Sequence, residues 1–133
     1  MNRQPRFLHV LTIVHAAGAL VCVALAGGSA VSPAFRDGLA LTGGSARMVA
    51  MFGSWTPAFL LGVGCVLAVL AYGAWRVRPW AWALTLAVYG AGVLGSLWQV
   101  SVGIRQGWLA SAVNGAVFVY AATPGVRRAY TRR

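Results

Sequence analysis

Apolar residues run almost unbroken along four stretches of the chain, and polar or charged residues gather in the gaps between them. The stretches extend from about Phe7 to Ala26, from about Pro57 to Trp75, from Pro79 to about Gly103, and from about Trp108 to Ala122. A bilayer core about 30 Å thick needs roughly 20 apolar residues in a helix rising about 1.5 Å per residue. Each stretch meets or approaches that length. The pattern therefore predicts an all-α fold, an integral membrane four-helix bundle with antiparallel up-down spans, forming a single transmembrane domain over residues 1–133.

Local signals set the span ends. Thr56 is placed to cap the second helix with Pro57 in its first turn. Pro79 opens the third, and Pro124-Gly125 ends the fourth. Trp108 and Tyr120 mark the ends of that last, short span, because their rings favour the headgroup level. The outer segment, about 27–54, has no single obvious structure. A helix from Ser45 running on through the second span would have about 31 residues and measure about 46 Å, too long for a straight crossing. The expectation is a kink at Pro57, with residues 46–52 lying along the outer interface.

Composition removes the soluble alternatives. Of 133 residues, 59% are hydrophobic and 9% charged, with a mean hydropathy of +0.73, values foreign to a water-soluble domain of this size. The net charge of +10 suggests nucleic acid at first sight. All eleven basic residues are arginines in gaps between apolar runs, however, and Asp37 is the one acidic side chain. Such charge reports orientation, and no nucleic-acid partner is expected.

If the spans alternate, Arg3, Arg6, Arg76, Arg78, Arg127, Arg128, Arg132 and Arg133 share one side, facing Arg36, Arg47 and Arg105 on the other. The positive-inside bias then puts both termini in the cytoplasm, for a multi-pass protein of the bacterial inner membrane. The stretch WRVRPWAW becomes a tight cytoplasmic hairpin. In it Arg76 and Arg78 stay in the headgroup layer while Trp75, Trp80 and Trp82 anchor the helix ends. The first span is expected to be retained. Arg3 and Arg6 followed by Ala24-Leu25-Ala26 resemble a cleavable signal, but an apolar run of about 20 residues exceeds the usual 7 to 15.

Within the spans a few residues invite chemistry. GAGVLG, Gly90 to Gly95, matches the dinucleotide fingerprint, but it lies inside an apolar helix with no preceding strand and no acidic residue some 20 positions on. Ala87, Ala91 and Gly95 instead recur every fourth residue, as do Gly92 and Ser96. These are small faces for close helix packing, which Ser111 and Gly115 can complement on the fourth span. Gln99 and Asn114 fall about six and nine residues from a turn centred on Arg105-Gln106. At comparable depth they form either a buried amide pair or the lining of a polar path.

His15 lies at mid-bilayer and needs a partner, either a hydrogen-bonding group in the bundle or the iron or magnesium of haem or chlorophyll through one axial bond. His9 is nearer the cytoplasmic end and reaches headgroups. Spans two to four contain no histidine, so two-helix bis-histidine ligation within the chain is excluded. Cys22 and Cys65 can share a depth, yet read as small apolar side chains rather than a disulfide. Neither a carboxylate pair nor a metal cluster is available, and nothing in the spacing pairs a serine with His9 or His15 as base, so no enzyme is expected. Proton-coupled drug exporters of similar size rely on a membrane-embedded glutamate that is missing here.

Gly73-Ala74-Trp75-Arg76, Pro79-Trp80-Ala81, Gln99 with Gly103, Asn114, and Pro124-Gly125-Val126-Arg127 with Tyr130 form one further pattern. On these residues the region 71–130 resembles a loose group of small bacterial four-span integral membrane proteins of unknown function. The resemblance implies an inner-membrane bundle with both termini inside and carries over no activity. The expected role is an accessory or scaffold subunit that sits in the lipid bilayer and packs against other membrane-protein subunits or a copy of itself. The alternatives are a small oligomeric channel or transporter lined by Gln99, Asn114, Thr85 and Ser101, and pigment or haem binding at His15.

Overall fold

The computed structural model describes residues 8–41, 43–104 and 107–131. They are all-α, with no strand among them. In chain order the helices are α1 (Leu8–Val31), α2 (Pro33–Leu41), α3 (Gly43–Phe52), α4 (Thr56–Trp75), α5 (Pro79–Ser101), α6 (Gly107–Ala122) and α7 (Pro124–Thr131). A 3₁₀ turn, Gly53–Trp55, separates α3 from α4.

Three helical stretches, His9–Val31, Met48–Trp75 and Pro79–Ser101, are long and apolar enough to cross a membrane; α6 qualifies only together with α7, across a 59° bend. By itself α6 has 16 residues, about 24 Å of rise against a core of about 30 Å. The three long apolar helices fit a membrane protein. So do their surfaces, where Leu20 and Leu94 are each 71% exposed. Such side chains cost free energy against water but none against hydrocarbon.

The chain divides into two compact units, Ala16–Ala68 and Met1–His15 with Val69–Arg133. In the first, the later part of α1 runs antiparallel to the start of α4. Gly18 accommodates Leu67, and Gly64 accommodates Cys22 and Val23. Cys22 and Cys65 are both free thiols, Cys65 exposed.

Helix α1 continues to Val31 instead of stopping near Ala26. The Ser29 hydroxyl bonds back to the carbonyls of Leu25 (2.8 Å) and Ala26 (3.1 Å), inside the helix. Ser32 then caps α2, its Oγ accepting the Phe35 N–H at 3.2 Å, with Pro33 at the first helical position. The Phe35 ring lies over Gly28, where any Cβ would come within 2.8 Å of it.

The interruption before α4 falls at Gly53, which has φ +50, rather than at the expected Pro57. A first-turn proline lacks an N–H that has no helical partner there anyway, so Pro57 starts the helix without bending it. Thr56 also differs from its expected role. It has helical dihedrals, and its hydroxyl donates back to Gly53 O at 2.8 Å instead of accepting from the helix.

In the second unit the core gathers Leu11, Ala74, Val77, Ala121, Val126 and Tyr130, flanked by Trp82, Leu86, Val117 and Tyr120. Glycines set the close approaches between consecutive helices here. Gly73 lets the end of α4 close on Trp80 and Ala81 at the start of α5, since a Cβ there would lie 2.6 Å from that of Ala81. Gly107 does the same for α6, with Ser96 O of α5 only 2.7 Å from where a Cβ would stand.

Both α4 and α5 end in the same paired hydrogen bonds. At α4, Val77 N–H reaches Ala74 O (3.0 Å) and Arg78 N–H reaches Gly73 O (2.9 Å); at α5, Gly103 N–H reaches Val100 O (3.0 Å) and Ile104 N–H reaches Gln99 O (2.9 Å). Each closure needs one residue at positive φ. That residue is Gly103 (φ +86) after α5 but Val77 (φ +51) after α4.

Beyond the bend α7 packs Val126 and Tyr130 into the core. The Tyr130 hydroxyl donates to Ala74 O at 3.2 Å, and the Trp82 indole N–H donates to Ala121 O at 2.9 Å.

Candidate functional site

His15 is fully buried. Its Nδ1 bonds to Leu11 O, and since a carbonyl only accepts, Nδ1 carries the proton. Nε2 then faces the Thr85 hydroxyl at 3.3 Å. That hydroxyl has one proton and also donates to Ala81 O at 2.7 Å, so the imidazole receives the weaker share. The His15 and Tyr89 rings meet in a T-shaped arrangement, with centroids 5.6 Å apart.

Thr85, expected to line a path, is 1% exposed and serves as the histidine's partner instead. An iron or magnesium atom approaching Nε2 would have to displace it. Among the described residues no group of three or more metal-ligating side chains converges.

The α5–α6 seam carries the second polar cluster. Ser96 and Ser111 join hydroxyl to hydroxyl at 2.7 Å, while Ser96 also bonds back to Gly92 O at 2.8 Å. One helical turn further along, the Asn114 amide lies against Gly92, where an added Cβ would sit 2.8 Å from its Cγ. This register separates Gln99 from Asn114. With Asn114 beside Gly92 and Gly107 beside Val100, Gln99 stands level with the start of α6, about 10 Å along the helix from Gly92.

The register does not bring the two amides to the same level of the α5–α6 seam. The cause is the position of the turn. Helix α5 ends at Ser101 and the chain reverses at Gly103, before Arg105-Gln106, which lie outside the described residues.

The two small-residue faces of α5 have different fates. Gly92 and Ser96 turn toward α6. Ala87, Ala91 and Gly95 are exposed, and a Cβ on Gly95 would meet nothing within 4 Å. Gly115 on α6 likewise faces open space.

The interface anchors also divide. Trp75, Trp80 and Trp108 are exposed, whereas Trp82 is tied to Ala121 O and Tyr120 packs beside the core. Arg76 and Arg78 are exposed. The Arg76 guanidinium lies 5.6 Å from the Tyr72 ring centroid and 5.4 Å from that of Trp75, and its Nε donates to the Tyr72 hydroxyl at 3.3 Å. Asp37 sits beside Arg36 at 3.8 Å.

Sequence reasoning missed Val77 and Tyr130 as core residues. Tyr130 lies in an arginine-rich tail, where only the spacing of four between it and Val126 hinted at a buried face. Burial pushes the Tyr130 phenol up to about 12, with the Tyr120 phenol adding to the effect. Comparison with protein-family models, curated proteins and solved structures gives no match.

Proposed function

We propose that the chain is a small multi-pass protein of the bacterial inner membrane, a four-span bundle with both termini cytoplasmic, that serves as an accessory or scaffold subunit. One observation carries this reading. The Gly92/Ser96 face of α5 is occupied by α6, while the parallel Ala87/Ala91/Gly95 face is left open. Within lipid, helices associate by close packing at small residues rather than by hydrophobic burial, so an outward face of this kind suits a helix of another subunit or of a second copy.

The antiparallel contacts within each unit and the eight-to-three arginine split favour the proposed topology. A conducting path draws less support, because Gln99 and Asn114 stand apart in register. Haem or chlorophyll ligation draws less as well, because Nε2 of His15 is covered by Thr85.

The test is purification in mild detergent with mass spectrometry of co-eluting chains. A stable partner or self-assembly is expected for the native sequence, and its loss on Ala91→Leu or Gly95→Leu. A native chain that elutes as an isolated monomer removes the proposal.

A further inference from the structure

Four exposed arginines are carried by two elements that share one core. Arg76 and Arg78 flank Val77 in the α4–α5 turn, and Arg127 and Arg128 follow Val126 in α7. Val77 and Val126 belong to the same buried cluster, and the Tyr130 hydroxyl binds Ala74 O at the end of α4. The packing therefore sets the basic turn and the basic helix side by side. The sequence contains one acidic side chain, Asp37, and it already lies beside Arg36. No carboxylate side chain is left to neutralise these four cations.

We infer that this surface binds the phosphodiester headgroup of an anionic phospholipid. The inference rests on the membrane placement proposed above. Guanidinium groups recognise phosphate oxygens through paired N–H donors, which an ammonium cannot reproduce. Arg76 is already oriented by Tyr72 and Trp75, which lowers the entropy lost on binding. Exposed Trp75 and Trp80 beside it match the interfacial level at which headgroups lie. α7 completes the surface, burying Val126 and Tyr130 while Arg127 and Arg128 stay outside, the division found in helices that bind anionic membrane surfaces.

The experiment uses the full chain in detergent micelles doped with equal amounts of phosphatidylglycerol and phosphatidylcholine, with retained lipid counted by native mass spectrometry. The native chain is expected to retain phosphatidylglycerol preferentially. Replacing all four arginines by glutamine should reduce that preference at least about tenfold. Arg36→Gln should leave it unchanged. The four-lysine variant, which keeps the charge, should fall several-fold short of the native chain, with circular dichroism confirming that each variant is folded.

Equal retention of the two lipids by the native chain overturns the inference. So does full retention of phosphatidylglycerol by the glutamine or the lysine variant, or its displacement by excess inorganic phosphate. A chain that is folded and soluble without detergent would instead defeat the membrane reading itself, a separate result.

Discussion

The two turns that bracket α5 close with the same hydrogen bonds but satisfy their backbone requirement in opposite ways. After α5, Gly103 takes positive φ at little steric cost, and a Cβ there would meet nothing within 4 Å. After α4, Val77 takes the same left-handed conformation, which costs a β-branched residue about 1–2 kcal/mol. Val77 is only 3% exposed, packed with Leu11, Ala74, Val126 and Tyr130. Burying its isopropyl group contributes about 2 kcal/mol, enough to offset the strain. The α5–α6 turn is thus specified by local conformational freedom, and the arginine-bearing turn by the core beneath it.

Beside each turn stands a glycine where the helices touch, and filling those contacts has the largest expected effect. Gly73→Ala and Gly107→Ala should each destabilise the chain by about 2–3 kcal/mol, read by denaturant titration in micelles. At Gly107 the obstacle is the backbone carbonyl of Ser96, which has little room to yield.

The turn residues separate the two mechanisms directly. Gly103→Val adds strain with nothing to bury against and should cost about 1–2 kcal/mol. Val77→Ala keeps most of the strain and loses two methyl groups, a cost of about 1.5 kcal/mol. Val77→Gly loses more packing but relieves the strain, and should stay within about 1 kcal/mol of the native chain. If glycine proves worse than alanine at Val77, strain at that position is not what the packing offsets.

The smallest effect is expected at Tyr130→Phe, about 1 kcal/mol from the lost bond to Ala74 O. Because the folded-state phenol is raised from 10 to about 12, its stabilising contribution is fully present below pH 10 and lost as pH rises through about 12. Docking of α7, followed by tryptophan fluorescence, should weaken across that window in the native chain. The Phe variant should lack this step.

The apolar runs made the long helices legible, because lipid demands an uninterrupted length that few other structures imitate. Boundaries were less so. Ser29 carried α1 beyond Gly27-Gly28 by bonding within the helix, and a 3₁₀ turn opening at Gly53, rather than a kink at Pro57, precedes α4. Of the candidate residues, Gly92 and Ser96 could be picked out by their spacing, but which of two small faces would meet α6 depended on the rotation of α5. Gln99 and Asn114 stand apart because the chain reverses at Gly103, a few residues before the turn expected around Arg105-Gln106. Thr85 as partner to His15 is a contact across 70 residues, and no local signal announces it.

The elbow between α6 and α7 is built at Thr123. Pro124 has no N–H to offer Tyr120 O, and that carbonyl takes the Thr123 N–H at 3.2 Å and the Thr123 hydroxyl at 2.8 Å instead. The next carbonyl, Ala121 O, is held by an indole from α5. A joint that opened would leave these acceptors without their present partners, at about 1 kcal/mol for each bond lost. The angle therefore acts as a fixed bracket, and any movement of the C-terminal helix must carry the end of α6 and Trp82 with it.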